Sequence, residues 1–373
     1  RGAGRSGKRC AHALAHRAAG LAEQRRELAD RRIERPQVRA PGRVVVACGC
    51  RGNRRRDLRR DVRRLRAHRL RQRAQPVEPG RLPLTLAADG RDALEPRAAL
   101  TGTRLRLLPV ALGQLDNPRK VEVWRCDGPI KCGTWDRLRF AQGQQLTMGH
   151  IALDLRDSVG MREASRQAYD VLQTYLQQSP HPWPLKIWNY IPAINHGSGD
   201  AELYRQFCLG RADAVLIDPG DLPPLPAATA IGAPPAEPAL QVYFLAGALP
   251  GLDVENPRQV SAWRYPRQYG PRSPLFSRGT ILTLNGSRQF LISGTASVVG
   301  HQTHHEHQVA NQLSESLRNV HSLLEEGRRL MGDSQARLDR DGMLKVYIRD
   351  PADYELIRRT LDAEAPAEIP RIY

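Results

Sequence analysis

Residues Ser261 to Gly279 set Arg264, Arg267, Arg272 and Arg278 among Trp263, Tyr265, Tyr269 and Phe276, on backbone stiffened by Pro266, Pro271 and Pro274. A guanidinium presents its donors as a planar fork that matches a carboxylate. Several forks on rigid, aromatic-rich chain suit a small polyanion. Arg211, after an expected turn at Phe207–Gly210, and Arg258, in NPRQ, add two more candidates. Tyr269 reads either as a packing aromatic or as a group that orients a substrate ring or a water. Ser293–Ser297 (SGTAS) follows an expected strand and reads as a structural turn, with ligand contact from Gly294 or Thr295 as the alternative. A nucleophilic serine would need a partnered base and a G-x-S-x-G turn, and neither is convincing. His301, His304, His305 and His307 invite a metal reading, but there is no HExxH pattern and no evident third ligand. Local hydrogen bonding at a helix start is the preferred use for them. Glu315, on a long expected helix, is either an exposed glutamate or an internal carboxylic acid.

The elements that must position these groups begin near Val121. VEVWR alternates apolar and polar residues as a strand does, and HIALDL, residues 150–155, is a second strand. Arg162 to Gln178 reads as an amphipathic helix with Ala164, Ala168, Val171, Leu172, Tyr175 and Leu176 on one face, ended by Pro180. PLKIWNYIP, 184–192, is a buried strand. Ala201 to Leu209 is a short helix closed by Gly210, and the Pro/Ala-rich stretch Pro219–Pro238 is a surface loop or edge excursion. ALQVYFLAGA, 239–248, is a strongly apolar strand. Thr280–Leu284 and Gln289–Ile292 flank Asn285-Gly286, a hairpin signal. A helix over His304–Glu326 follows, with Val309, Leu313, Leu317, Val320 and Leu324 on its face. Met343–Arg349 is a strand, and Asp350 caps the next helix with Pro351 at its first position. The order predicts an α/β (α+β) fold, small mixed sheets with helices on one face. It divides into 119–238 and 239–373. The series stops at PAEIPRIY without the closing strand such domains usually carry, and so reads as truncated.

The bulk numbers separate residues 1–118 from the rest. The chain has 373 residues and a formal net charge of +18. Nearly all of that excess lies before Val121, in arginine- and alanine-rich sequence without Tyr, Phe or Trp. Three readings of 1–118 stand: a nucleic-acid-binding arm, a disordered or weakly folded extension, and a stretch that is not a genuine domain. The last is favoured, which leaves nucleic acid an unlikely partner. A helix around Leu58 to Leu70 would have little apolar face to bury. No apolar run is long enough to cross a bilayer, and the start lacks the apolar centre of a secretion signal. Six thinly spread cysteines show no zinc-ligand spacing, and Cys48 and Cys50 are too close for an ordinary bridge. A cytoplasmic location is the expectation.

Residues 121–373 resemble the chorismatase family, which includes bifunctional 3-hydroxybenzoate/4-hydroxybenzoate synthases. The matching pieces are KIWNYIPAIN (186–195), ELYRQFCLGRADA (202–214), ENPRQVSAWRYPRQYGPRSPLFSRG (255–279), LISGTASVVGHQTHH (291–305) and LKVYIRDPADY (344–354). The long PRQ…YPRQYGPR block makes the match specific, and nothing before about Arg119 takes part. The resemblance implies small mixed sheets like those of the YjgF/chorismate-mutase-like trimeric enamine-deaminase fold, as a monomer or a trimer-like assembly. It implies chorismate, a small dianion, as substrate, with release of pyruvate and formation of a hydroxybenzoate or a dihydroxycyclohexadiene acid. It implies no metal or organic cofactor. Lys186, Arg211, Arg258, Arg267, Arg272, Gly294 and Thr295 become candidate substrate contacts, and Tyr269 and Glu315 candidate catalytic groups. Lys186 stands where the family commonly has arginine, which would exchange a fork for a point charge. The family's acid is expected on a glutamate beyond IPRIY, with Glu315 as the internal substitute.

Two other function classes fit parts of the sequence. An enamine or imine hydrolase on the same fold would need only one carboxylate-binding arginine. A non-catalytic protein, nucleic-acid-binding through 1–118 or built for assembly, would show no turnover.

Overall fold

The computed structural model describes residues 43–46, 84–88, 106–110, 112–115, 121–124, 129–157, 160–215, 224–236, 238–284, 286–332, 338–339 and 342–373. Most of the 1–118 segment, the Leu58–Leu70 stretch, Cys48, Cys50, Cys126 and Asn285 lie outside them. Short strands β1 (Arg43–Val46), β2 (Leu84–Ala88) and β3 (Arg106–Val110) fall within that segment, and β2 pairs with β3 and with β4 (Val121–Trp124).

The larger sheet contains β5 (Lys131–Trp135), β6 (Leu138–Gln142), β7 (Leu146–Asp154), β8 (Trp183–Pro192), β9 (Ala227–Ala233) and β10 (Ala239–Gly247). Their spatial order is β5-β6-β7-β10-β8-β9. β8 and β9 are parallel, so the chain must cross over between them, and a helix makes that crossing. β10 explains its own sequence. Val242, Phe244 and Ala246 face one core, while Tyr243 and Leu245 face another. A strand buried on both sides reads as a continuous apolar run. β10 lies in the centre of this sheet, hydrogen-bonded to β7 and β8. A boundary at 238 therefore falls between two strands of one sheet.

Helices α1 (Met161–Gln178) and α2 (Leu203–Val215) cover the first face, with Ala164, Ala168, Leu172 and Phe207 in its core. The second face meets a sheet made of β11 (Leu252–Val254), β12 (Gly279–Leu284) and β13 (Ser287–Ile292), with β1 parallel to β13. Leu282 and Leu291 point toward the large sheet. Ile281, Phe290 and Ile292 point away, onto α3 (Val309–Met331) and α4 (Tyr354–Glu364), where Leu317, Val320, Leu324 and Leu361 receive them. Period-two alternation thus places helices on one face of each sheet, in a mixed α/β sandwich.

Four local differences from the sequence expectation have physical causes. α2 runs through Gly210 to Val215, because Gly210 is where α2 crosses α1. A Cβ there would stand 1.9 Å from the Arg162 carbonyl oxygen. Arg211 is therefore a mid-helix residue. The Pro219–Pro238 stretch contains β9, whose Ala227 and Ala228 are too small to advertise a strand but fit a crowded seam. The Ala228 amide donates to Ser293 Oγ at 2.8 Å, the Gly294 amide donates to the Ala228 carbonyl at 3.0 Å, and the Ala227 amide donates to Thr280 Oγ1 at 2.8 Å. α3 begins at Val309 because His305 and His307 have φ of 59° and 61°, in the left-handed region. The strand expected over 343–349 is only β14 (Leu344–Lys345), and β15 (Arg371–Ile372) pairs with it in parallel. Asp350 caps as expected, accepting from the Ala352 amide at 3.0 Å, ahead of a 3-10 turn over Pro351–Asp353 and then α4. No described helix is long and apolar enough to cross a membrane.

Candidate functional site

A cavity of about 850 Å³ opens where α2, β9, the turn after β13, the flank of α3 and residues 344–349 meet. That volume lies inside the range of roughly 300–1,000 Å³ usual for small-molecule sites. It adjoins a second chamber of about 890 Å³ that shares Ile194, Asn195, Ala230, Ile231 and residues 345–349 as wall.

The walls mix apolar side chains with many polar ones, of which a small number carry charge. Arg211 is 6% exposed and its Nε has no hydrogen-bond partner among the described residues. Its guanidinium lies 4.7 Å over the Tyr169 ring, and among the described residues no carboxylate pairs with it. Burying a cation costs several kcal/mol unless an anion compensates, so this group favours an anionic guest. Asn189, Tyr204, Cys208, Thr229, Ser293, Gly294, Thr295 and Ser297 complete this side. Burial pushes the Cys208 thiol up to about 11, which removes it as a nucleophile at neutral pH. Lys345 and Arg349 also line the cavity, and Asp353 is the one carboxyl among its described lining residues.

The structure brings together three of the sequence candidates, Arg211, Gly294 and Thr295. Lys186 sits just behind them. It is fully buried and its Nζ donates to Thr229 Oγ1 at 2.9 Å and to the Ile292 carbonyl at 2.8 Å. Its charge backs the wall without forming part of it.

The other candidates lie elsewhere. Arg258 donates to Asn319 Oδ1 at 2.8 Å and to Glu315 Oε1. Glu315 also accepts from Arg318 at 2.7 Å. Burial raises the Glu315 carboxyl, but the hydrogen bonds and charges of the two arginines outweigh it and hold the group below its ordinary range. An acid held ionised in this way is poorly suited to donate a proton at neutral pH. Arg267 reaches out to Asp200 at 2.6 Å with 65% of its side chain exposed, and Arg272 is exposed. Tyr269 meets His301 Nδ1 at 3.1 Å. Arg278 is buried, but its Nη2 donates to the Val260 carbonyl at 2.7 Å and to the Tyr265 hydroxyl at 2.9 Å. The arginine-rich block thus contributes Pro274, Leu275 and Phe276 to the cavity, not its guanidiniums.

Lys345, Arg349 and Asn189 were not singled out in the sequence, although they stand in two of the family-like pieces, LKVYIRDPADY and KIWNYIPAIN. Nothing in local periodicity marks them. They share the cavity with Arg211 because β8, β9 and the segment that begins with β14 converge on one space.

A cavity lined by a buried guanidinium with no carboxylate partner among the described residues, and by Lys345 and Arg349, has the chemistry to suit a small organic anion. Comparison with known proteins narrows that class. A family model described as chorismatase FkbO/Hyg5-like, N-terminal, matches residues 122–246. A chorismatase of Streptomyces rapamycinicus is 34% identical over 247 residues, 64% of this chain and 72% of that protein. A 3-hydroxybenzoate synthase of Streptomyces hygroscopicus is 32% identical over 64% of this chain and 71% of its own length. A crystal structure of a chorismatase superposes with a TM-score of 0.67 at 26% identity, covering 80% of this chain and 89% of the other. The chain belongs to the chorismatase family.

Proposed function

We propose that this protein hydrolyses chorismate, releasing pyruvate and leaving 3- or 4-hydroxybenzoate or a dihydroxycyclohexadiene carboxylate. The observation that carries the reading is Arg211, a buried guanidinium without a described counter-ion in the wall of the cavity of a chorismatase-family fold. Chorismate has two carboxylates. Arg211 takes one as a planar fork, and Lys345 with Arg349 receives the other. Lys186, behind Thr229, adds positive potential without contact. Gly294 allows close approach at the turn, since even a Cβ there would lie 3.1 Å from Thr229 Cγ2. Arg258, Glu315 and Tyr269 hold the 255–278 block and the 301–308 turn in place.

The reaction such a site serves is enol-ether cleavage. A carboxylic acid protonates the methylene carbon, and an oxocarbenium-like centre forms on the adjacent carbon. Water captures that centre as a hemiketal, which collapses to pyruvate as the ring oxygen departs and takes up a proton. The surrounding cations hold the dianion while positive charge develops beside its carboxylate.

The same reading places the enzyme in the cytosol with no metal or organic cofactor. It treats the paired sheets as a relative of the trimeric enamine-deaminase fold. It also moves the division between the two halves to the end of β10. Incubation with chorismate, with pyruvate and aromatic products measured together, tests it. Stoichiometric pyruvate supports the assignment, and a folded protein that yields none would falsify it.

A further inference from the structure

A hydrogen-bonded series runs through the cavity wall from Lys186 to Tyr169, whose ring lies beneath Arg211. Lys186 Nζ donates to Thr229 Oγ1 at 2.9 Å, and Asn189 Nδ2 donates to the Thr229 carbonyl at 3.3 Å. A carbonyl only accepts, so the Asn189 amide is oriented with Oδ1 turned the other way. That oxygen accepts the Tyr169 hydroxyl at 2.8 Å. Burial raises the Tyr169 phenol, with the Arg211 charge opposing, so it stays a neutral donor. The Tyr169 ring then lies 4.7 Å beneath the Arg211 guanidinium. Asn189 and Tyr169 are 1% and 2% exposed. The helices that carry Tyr169 and Arg211 are locked together by the Gly210 crossing and by Ser165 Oγ donating to the Phe207 carbonyl at 2.8 Å.

We propose that Tyr169 and Asn189 are positioning residues for Arg211: the amide fixes the phenol, and the ring fixes the plane in which the guanidinium meets a carboxylate. Stacking on an aromatic face restrains a guanidinium without consuming any of its N–H donors. That suits a fork whose donors are needed by a ligand. The assignment rests on the anion-binding role given to Arg211 above.

The test uses the full chain and two probes, 3-hydroxybenzoate and its uncharged amide, 3-hydroxybenzamide, titrated by calorimetry. Tyr169→Leu removes the platform and is expected to weaken the carboxylate roughly 10-fold, with the amide changed less than about 2-fold. Tyr169→Phe keeps the ring and is expected to hold the carboxylate within about 3-fold. Asn189→Ala frees the ring and is expected to fall between the two. With chorismate, the Leu variant should show its loss mainly in KM. Equal weakening of both probes by Tyr169→Leu marks a purely structural residue and overturns the proposal, as does an unchanged carboxylate affinity. If Tyr169→Leu does not fold, the Phe and Asn189→Ala variants carry the test, and identical wild-type affinities in both overturn it. Arg211→Ala separates the two readings. If it leaves carboxylate binding intact, the anion site itself is wrong, whatever Tyr169 does.

Discussion

Gly210 of α2 rests on the backbone of Arg162 in α1, with 1.9 Å between its would-be Cβ and the Arg162 oxygen. One missing methyl thus sets how closely the two helices cross, and through that crossing where Arg211 stands. Gly210→Ala should force the helices apart. Overpacking of this kind costs about 1–3 kcal/mol. Thermal melting should show the loss, and chorismate turnover should fall by more than stability alone explains, because Arg211 moves with α2.

The arginines should separate sharply by function. Arg211→Ala leaves an anionic guest without its partner in a desolvated wall, a loss of about 2–5 kcal/mol, read as a fall of at least 30-fold in kcat/KM. Arg211→Lys should recover only part of it, since an ammonium cannot form the planar fork. Arg267→Ala should stay within about 3-fold of the parent, because its exposed pair with Asp200 is of the kind that contributes little. Steady-state kinetics on chorismate distinguishes these outcomes.

Glu315→Gln should act on stability. The carboxylate is 6% exposed at the side chain and holds Arg258 and Arg318. Both arginines are partly solvated, so the loss is set at about 2 kcal/mol, below the figure for a fully buried pair. Because the folded group is depressed, its contribution is complete above the unfolded value of about 4.3 and is lost as pH falls through the lower folded value. Denaturant melts of parent and variant should therefore differ at pH 7 and converge in strong acid. A variant as stable as the parent at pH 7 would remove this role.

His150 gives a second pH dependence in a different window. It stacks on Tyr243 at 4.3 Å, and burial first, then the Arg139 charge, lowers it to about 4. The unfolded chain binds a proton near pH 6.5 while the fold does not, so stability is full above 6.5 and falls as pH drops toward 4. The loss is on the order of 3 kcal/mol. His150 Nε2 has no hydrogen-bond partner among the described residues, so His150→Phe should fold and flatten the profile between pH 6.5 and 4.5. An unchanged slope would rule the residue out as its source.

Most elements were legible because their cores obey simple periods. β10 showed as an apolar run, α1 as a 3.6-residue stripe, and the β12–β13 hairpin through Gly286. β9 was hidden because Ala227, Ala228 and Gly232 carry almost no strand signal. They are small because Ser277, Ser293 and Ile194 crowd them, and that is information from distant sequence. The end of α2 was misplaced for the same reason, since Gly210 answers to Arg162 and not to its own helix. The arginine block misled about the site. Two 3-10 turns, at Ala262–Arg264 and Arg267–Tyr269, follow no period that tells outward from inward. The family was legible in the block all the same, because a motif can identify a fold without showing which of its side chains meet the substrate.

The seam along β9 bears on how the molecule breathes. Ala227 and Ala228 are hydrogen-bonded to the β12–β13 side while the same strand runs beside β8. Neither half can loosen without tearing at the other there. The two sheets are therefore fastened along that strand, and deuterium should be slow to reach the Ala227 and Ala228 amides.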